Sequence, residues 1–472
     1  MTRTRYPRNT QTARAITLFR ISGQRVPPQL VAAYLQIKAA CARANWDCGV
    51  LSTGHRNTVL RSISEIRSDS QGWRALFPVD RFQAGAGTTL NMNVNEAIAQ
   101  VARRRFGATL HPNDVVNRSQ STNDTYPTAL RLALLGLLPE LREAIAALGR
   151  SFGAKSREFA KIPKVGRTHL QDAVPMRLGQ QFGSYARTIE KLEARLESAR
   201  RGLIEIPLGG TAVGTGATTP RGFRAAALRH LKGESGLDGL RTPRDPFEIQ
   251  ASALDFVHYA QALEAIALEL TRIGADLRLQ ASGPRTGIHE LVLPTLLPGS
   301  SIMPGKSNPS GLEMLQQVLI EVLGLHQMTG WAAALGQLEL NVMLPAIGPT
   351  LIESTQHLTR ALLFTAEQVI VPLAPSREEL ERNWKSTEQW ATLLSPEWGY
   401  DQVAEWVRAA RASGEPFVDW VEKNRGIRVS DVAAKRARPT IGRSRGRRTV
   451  RKPLKKRAKI GTSPARARRP TR

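Results

Sequence analysis

Residues 299–309 read GSSIMPGKSNP, with two serines beside a glycine, Lys306 six positions after Ser300, and Asn308 two further on. Glycines allow backbone N–H groups to converge on one point. A lysine and such donors together can hold a carboxylate. They can also stabilise the doubly charged form it takes when a proton leaves the neighbouring carbon. A serine among these donors can act as an oxyanion base, its pKa lowered by hydrogen bonds to the charged form. The competing reading is a plain Gly/Ser/Pro connection between helices. Lys306 and Asn308 at fixed offsets, together with four other unusual loops, favour chemistry.

Those loops are GAGTTLNMNVN (85–95), HPNDVVNRSQSTNDT (111–125), GRTHLQDAVP (166–175) and LGGTAVGTG (208–216). They are dense in the residues of turns and caps, and rigid scaffolds place function on such loops. His169 lies in a polar run beside Thr168. Alone it reads as a structural histidine, but oriented by Glu313 it could stay cationic and face an anion. Glu313 alone is a first-turn helix carboxylate favoured by the dipole. Ser121, Thr122 and Asn123 read as a helix start before Pro127, and a helix N-terminus is also an anion site. His111 before Pro112 reads as a loop residue. No glycine run follows a convincing strand, so phosphate-cradle readings are weak. No His/Cys/Asp/Glu cluster has metal-ligand spacing. The set suits a small anionic substrate with no metal and no cofactor.

The elements that must position these loops are helices. Proline-poor stretches with apolar residues at three- and four-residue spacing cover Thr128–Phe159, with a break or kink expected at Pro139, then Arg177–Ile206, Phe247–Gln280, Gly311–Val342 and Thr350–Val371. Helices of 25–30 residues extend for about 40 Å. Several in a row imply a bundle, and their wide apolar faces imply contacts beyond one subunit. Shorter helical patterns follow Pro372.

The chain has 472 residues, 41% of them hydrophobic, which argues for a folded body of two or three domains. Its net charge is +27, but 17 of the 67 Lys and Arg fall between Lys435 and Arg472, where there is no acidic residue. Such a segment cannot fold alone. It reads either as a solvated extension or as an arm making non-specific nucleic-acid contact, since no aromatics are interleaved for stacking. No apolar run is long enough for a membrane span. The basic N-terminus lacks the apolar stretch of a secretory signal. Cys41 and Cys48 are too few for a disulfide framework, so a cytoplasmic location is the expectation.

GSSIMPGKSNP resembles the signature loop of the fumarase/aspartase superfamily, with Ser307 where valine is usual. GAGTTLNMNVNEAIA, HPNDVVNRSQSTNDTYPTA, GRTHLQDAVP, GGTAVGTG, ASGPRTG and LELNV resemble family motifs in the same order, so the likeness runs from about Thr10 to Val429. It implies an all-α, three-domain fold whose long helices form a 20-helix core in a homotetramer. With the composition shift near Pro372 and the basic tail, which lies outside the likeness, the expected segments are an N-terminal mostly helical domain (1–120), a central bundle (121–377), a small helical domain (378–434) and the tail (435–472). The likeness also implies active sites drawing loops from three subunits.

The implied reaction is anti elimination from a small dicarboxylate or amino-dicarboxylate to give fumarate. Ser300 matches the base. Lys306 and Asn308 match the groups that bind the carboxylate and stabilise the aci-carboxylate. His169 matches a binding or acid-side histidine, with Glu313 its charge partner. Thr88, Ser121, Thr122, Asn123 and Thr168 match substrate binders, and His111 matches a secondary anion site. Between members, GAGTTLNMN, STND, LRLQASGPR, QLELNVMLP and VPM in GRTHLQDAVPMRLGQ resemble aspartate ammonia-lyase. That is the expected activity, with fumarate hydratase as the alternative, or a weakened homologue whose tail binds nucleic acid. Leu90 stands where Ser or Thr is common, and the lead-in before TQTARAITLF is short for the family.

Overall fold

The computed structural model describes residues 6, 7, 10–69, 73–429, 431 and 432. The expectations for the tail at 435–472 fall outside these. The chain divides into two compact units, up to Thr387 and from Glu388 onward.

In the first unit, α1 (Gln11–Leu18) is held by Glu96, whose carboxylate accepts from the Gln11 and Thr12 N–H groups at 2.9 and 3.0 Å. Next come α2 (Pro28–Asp47), α3 (Thr53–Ser68), capped by the Ser52 hydroxyl, and α4 (Thr88–Phe106), ended by left-handed Gly107. The longest helix is α5 (Thr122–Glu158), at 37 residues. Leu130, Leu134, Leu141, Ile145 and Leu148 form its buried stripe. Each such side chain contributes roughly 1.5–3 kcal/mol on burial.

The helix runs unbroken through Pro139, where the sequence predicts a break or kink. Pro139 sits on the exposed face, where carbonyls can tilt out toward water.

A hairpin of β1 (Pro163–Thr168) and β2 (Gln171–Arg177) follows, where the sequence suggested only a loop. Then come α6 (Leu178–Leu203), α7 (Phe223–Ser235), the single turn α8 (Glu248–Ala251) and α9 (Leu254–Gln280). A two-residue strand β3 (Leu291–Val292) precedes α10 (Ser310–Ala334) and α11 (Leu344–Phe364). The unit ends with β4 (Ala374–Pro375), paired antiparallel to β3, and α12 (Arg377–Ser386), which packs on β1.

Helices α5, α6, α9, α10 and α11 pack in a closed ring, each against the next and α11 back onto α5. This is the helical bundle the periodicity predicts. In the second unit, α13 (Ala391–Trp398), α14 (Tyr400–Ser413) and α15 (Phe417–Arg425) enclose Trp390, Trp406 and Phe417. Arg425 lies over the Trp406 and Trp420 rings. Among the described residues no helix is long and apolar enough to cross a membrane.

Candidate active site

Ser300 sits in a turn that aims donors at its side chain. Its Oγ accepts from the Ile302 N–H at 3.2 Å and the Met303 N–H at 2.9 Å. Gly299 makes the turn possible, because a Cβ there would meet the Lys306 carbonyl oxygen at 1.7 Å. Asn308 Nδ2 donates to the Gly299 carbonyl and closes the loop across its base. Ser307, the departure from the family's valine, bonds Thr295 Oγ1 at 2.8 Å, so its hydroxyl is satisfied within the loop. Lys306 is exposed on a single chain. Glu313, in the first turn of α10, lies 3.5 Å from Arg278.

His169 and Leu170 form a two-residue hairpin tip, with Thr168 and Gln171 paired beneath them. Their φ values are +55° and +60°, the left-handed backbone of a type I′ turn. Neither is Gly, Asn or Asp, and such strain gathers at functional sites. Beneath the tip the hairpin is anchored by Glu290, which is fully buried. Its two oxygens take Arg167 at 2.9 and 2.8 Å, and Lys164 stands at 3.7 Å. Burial pulls the Lys164 ammonium pKa down, opposed by Glu290.

A third group lies where α5 begins. Ser121 Oγ accepts from the Asn123 N–H at 3.2 Å, and Asp124 Oδ1 accepts from the Ser121 N–H at 3.0 Å. Asp124 is fully buried, and its Oδ2 takes the Gly209 and Thr211 N–H groups. Burial pushes its pKa up to about 6 against those bonds. Asn123 Nδ2 donates to the Ala212 carbonyl at 2.8 Å, which seats the LGGTAVGTG loop on the helix end. Thr88 Oγ1 bonds the Gly85 carbonyl at 2.6 Å. Gly87 before it has φ +94°, and a Cβ there would strike the Tyr126 ring at 2.0 Å. Leu90 is fully buried in the core. His111 caps a short turn at Pro112–Val116 and accepts from the Asp114 N–H.

The bundle separates these groups. Gly202, at the end of α6, and Asp255, at the start of α9, meet Arg131 near the start of α5. The hairpin follows the other end of α5, where Lys164 reaches Gln280 at the end of α9. The Ser300 loop and Glu313 belong to that same end through Arg278. Thirty-seven helical residues span roughly 55 Å, so Thr88 and Ser121–Asn123 stand far from Ser300 and His169. The expected pairing of His169 with Glu313 does not form within one chain, because the one tops a projecting hairpin and the other lies against Arg278.

Sequence reading missed Lys38, fully buried on α2. Its signal was a lone charge in the apolar run LQIKAACA.

A family model described as a lyase matches residues 4–324. The chain belongs to the fumarase/aspartase superfamily of lyases. It is 40% identical over 395 residues to a class II fumarate hydratase of Mycobacterium tuberculosis, covering 84% of this chain and 83% of that protein. It is 38% identical to that of Thermus thermophilus, covering 85% and 87%. A crystal structure described as a fumarate lyase:delta crystallin from Brucella melitensis superposes with TM-score 0.86 at 38% identity, covering 91% of this chain and 95% of that one. A class II fumarase from Schistosoma mansoni gives TM-score 0.84 at 30% identity, with the same coverage.

These relatives overturn the expectation of an aspartate ammonia-lyase. The loop details behind it (GAGTTLNMN, STND and VPM) contain no group that selects an amine over a hydroxyl. A serine base and a carboxylate clamp of the expected kind would serve either leaving group.

Proposed function

We propose that the protein is a fumarate hydratase interconverting L-malate with fumarate and water, acting as a homotetramer. The observation that carries the chemistry is the pair of backbone N–H groups on Ser300 Oγ, at 3.2 and 2.9 Å. Two such donors stabilise an alkoxide and so lower the cost of a serine base. Ser300 takes a proton from the malate carbon next to one carboxylate. The electron pair moves into that carboxylate, and Lys306 and Asn308 offset the aci-carboxylate charge. Collapse of this intermediate expels the hydroxyl on the opposite face as water, protonated from the side of His169 and Thr168. The choice of water over ammonia rests on the class II fumarate hydratases at about 40% identity.

Thr88, Ser121, Thr122 and Asn123 bind the second carboxylate and the hydroxyl at the start of α5, where N–H groups favour an anion. His111 is assigned to a secondary anion site. Since these residues and Ser300 stand at opposite ends of the bundle, each site takes them from different subunits, and Glu313 meets the His169 of another copy. Exposed apolar side chains on α9 and α10 support the assembly: Leu268, Ile320 and Trp331 are each more than half exposed in a single chain.

The test follows fumarate absorbance from L-malate and from L-aspartate, with Ser300→Ala as control. Fumarate from malate alone, abolished in the variant, is expected. A malate-silent tetramer would sink the reading.

A further inference from the structure

The start of α5 is held by a buried charge that the reaction does not use. Lys38 Nζ donates to three side-chain amide oxygens: Asn91 Oδ1 at 2.7 Å, Asn117 Oδ1 at 2.9 Å and Gln120 Oε1 at 2.9 Å. In its ammonium form Lys38 has three N–H bonds and no acceptor, so all three of its protons are then committed. Each amide oxygen turned toward Lys38 turns its NH2 outward. Gln120 Nε2 bonds the Val116 and Arg118 carbonyls and fixes the turn before Ser121. Asn117 Nδ2 bonds the Gln120 carbonyl. Asn91 Nδ2 donates to Thr122 Oγ1 at 3.2 Å.

That last bond has a directional consequence. A threonine hydroxyl has one proton and can accept as well as donate. With Asn91 as donor, Thr122 Oγ1 is the acceptor, and its own proton is left to point elsewhere. Were the Asn91 amide reversed, its oxygen would draw that proton inward. A buried lysine is also a poor choice for stability alone, since removing an ammonium from water is costly and apolar replacements of buried charges are often neutral or better.

We propose that Lys38 is a positioning residue: through Asn91 it orients the Thr122 hydroxyl as a donor to the substrate carboxylate. This rests on the fumarate hydratase reading for the identity of the carboxylate.

The test measures succinate affinity by calorimetry and malate kinetics on the full-length protein. The variants are Lys38→Met, Asn91→Ala, Thr122→Val and the Lys38→Met/Thr122→Val double. Loss of one hydrogen bond to a charged acceptor predicts a succinate Kd and a malate KM raised about tenfold in each single variant. The fall in kcat should be smaller. The double variant should be no weaker than Thr122→Val alone, because Lys38 acts through that hydroxyl. Asn91→Ala keeps the buried lysine with two acceptors, so it carries the test if Lys38→Met does not fold.

A folded single variant at Lys38 or Asn91 with unchanged succinate Kd overturns the inference, as does a double variant whose losses add. Wild-type malate turnover with unchanged variant affinity refutes the inference and leaves the enzyme reading intact. Succinate binding that depends on Lys38 without malate turnover refutes the reading and leaves the inference intact.

Discussion

Arg167 and Glu290 form a two-pronged ion pair 123 positions apart in sequence, at 2.9 and 2.8 Å, with the carboxylate fully buried. It joins the strand that carries Thr168 to the loop that leads to Ser300. The hairpin tip and the Ser300 loop are thus mounted on one anchor. Among the described residues, Arg167→Ala leaves the buried carboxylate with Lys164 and Asn383 as its remaining side-chain partners. Stability is expected to fall by roughly 3–5 kcal/mol, read from denaturant unfolding, with malate turnover lost before the fold is.

Gly299 tests the Ser300 turn without touching a reacting group. A methyl placed 1.7 Å from the Lys306 carbonyl oxygen cannot fit unless the loop opens. Opening withdraws the two N–H donors from Ser300 Oγ. Gly299→Ala should therefore lower kcat by roughly 100-fold or more, the scale of a lost oxyanion donor, while the thermal midpoint moves little because the loop is exposed.

The separation of the site along α5 predicts complementation. Ser300→Ala and Asn123→Ala lie at opposite ends of the bundle, and each alone should be inactive on malate. Mixed after joint unfolding and refolding, or co-expressed, they should recover part of the activity, since some sites then combine two intact halves. Absence of any recovery would contradict a site shared between subunits.

Lys38 makes stability depend on pH in a defined direction. Burial pulls its ammonium down to about 7, with Cys41 on the same helix and Asp124 on α5 opposing. An unfolded lysine titrates near 10.4. Between the two values the unfolded chain holds a proton that the folded one has released, so unfolding free energy rises with pH. Relative to Lys38→Met, the wild-type protein should gain stability from about pH 7 to about pH 10. Thermal midpoints of both proteins across that range check it.

The order and content of the loops, the helical spacing between them and the superfamily were all legible in the sequence. These are local matters: periodicity marks a buried face, and GSSIMPGKSNP carries its own turn glycines. The donors on Ser300 Oγ follow from that loop alone. The leaving group was not legible, because the residues that clamp a carboxylate are indifferent to whether water or ammonia departs. Nor was the hairpin at Pro163–Arg177. His169 and Leu170 adopt left-handed backbone without the glycine or asparagine that signals it, and Arg167 and Glu290 hold the structure beneath them. The break or kink expected at Pro139 does not interrupt α5, which runs from Thr122 to Glu158. Only the tertiary structure set Ser121 and Ser300 at opposite ends of one bundle, because α5 runs its length before the chain turns back. The same packing enclosed Lys38 among three amides drawn from distant segments, a juxtaposition that spacing along the chain does not encode.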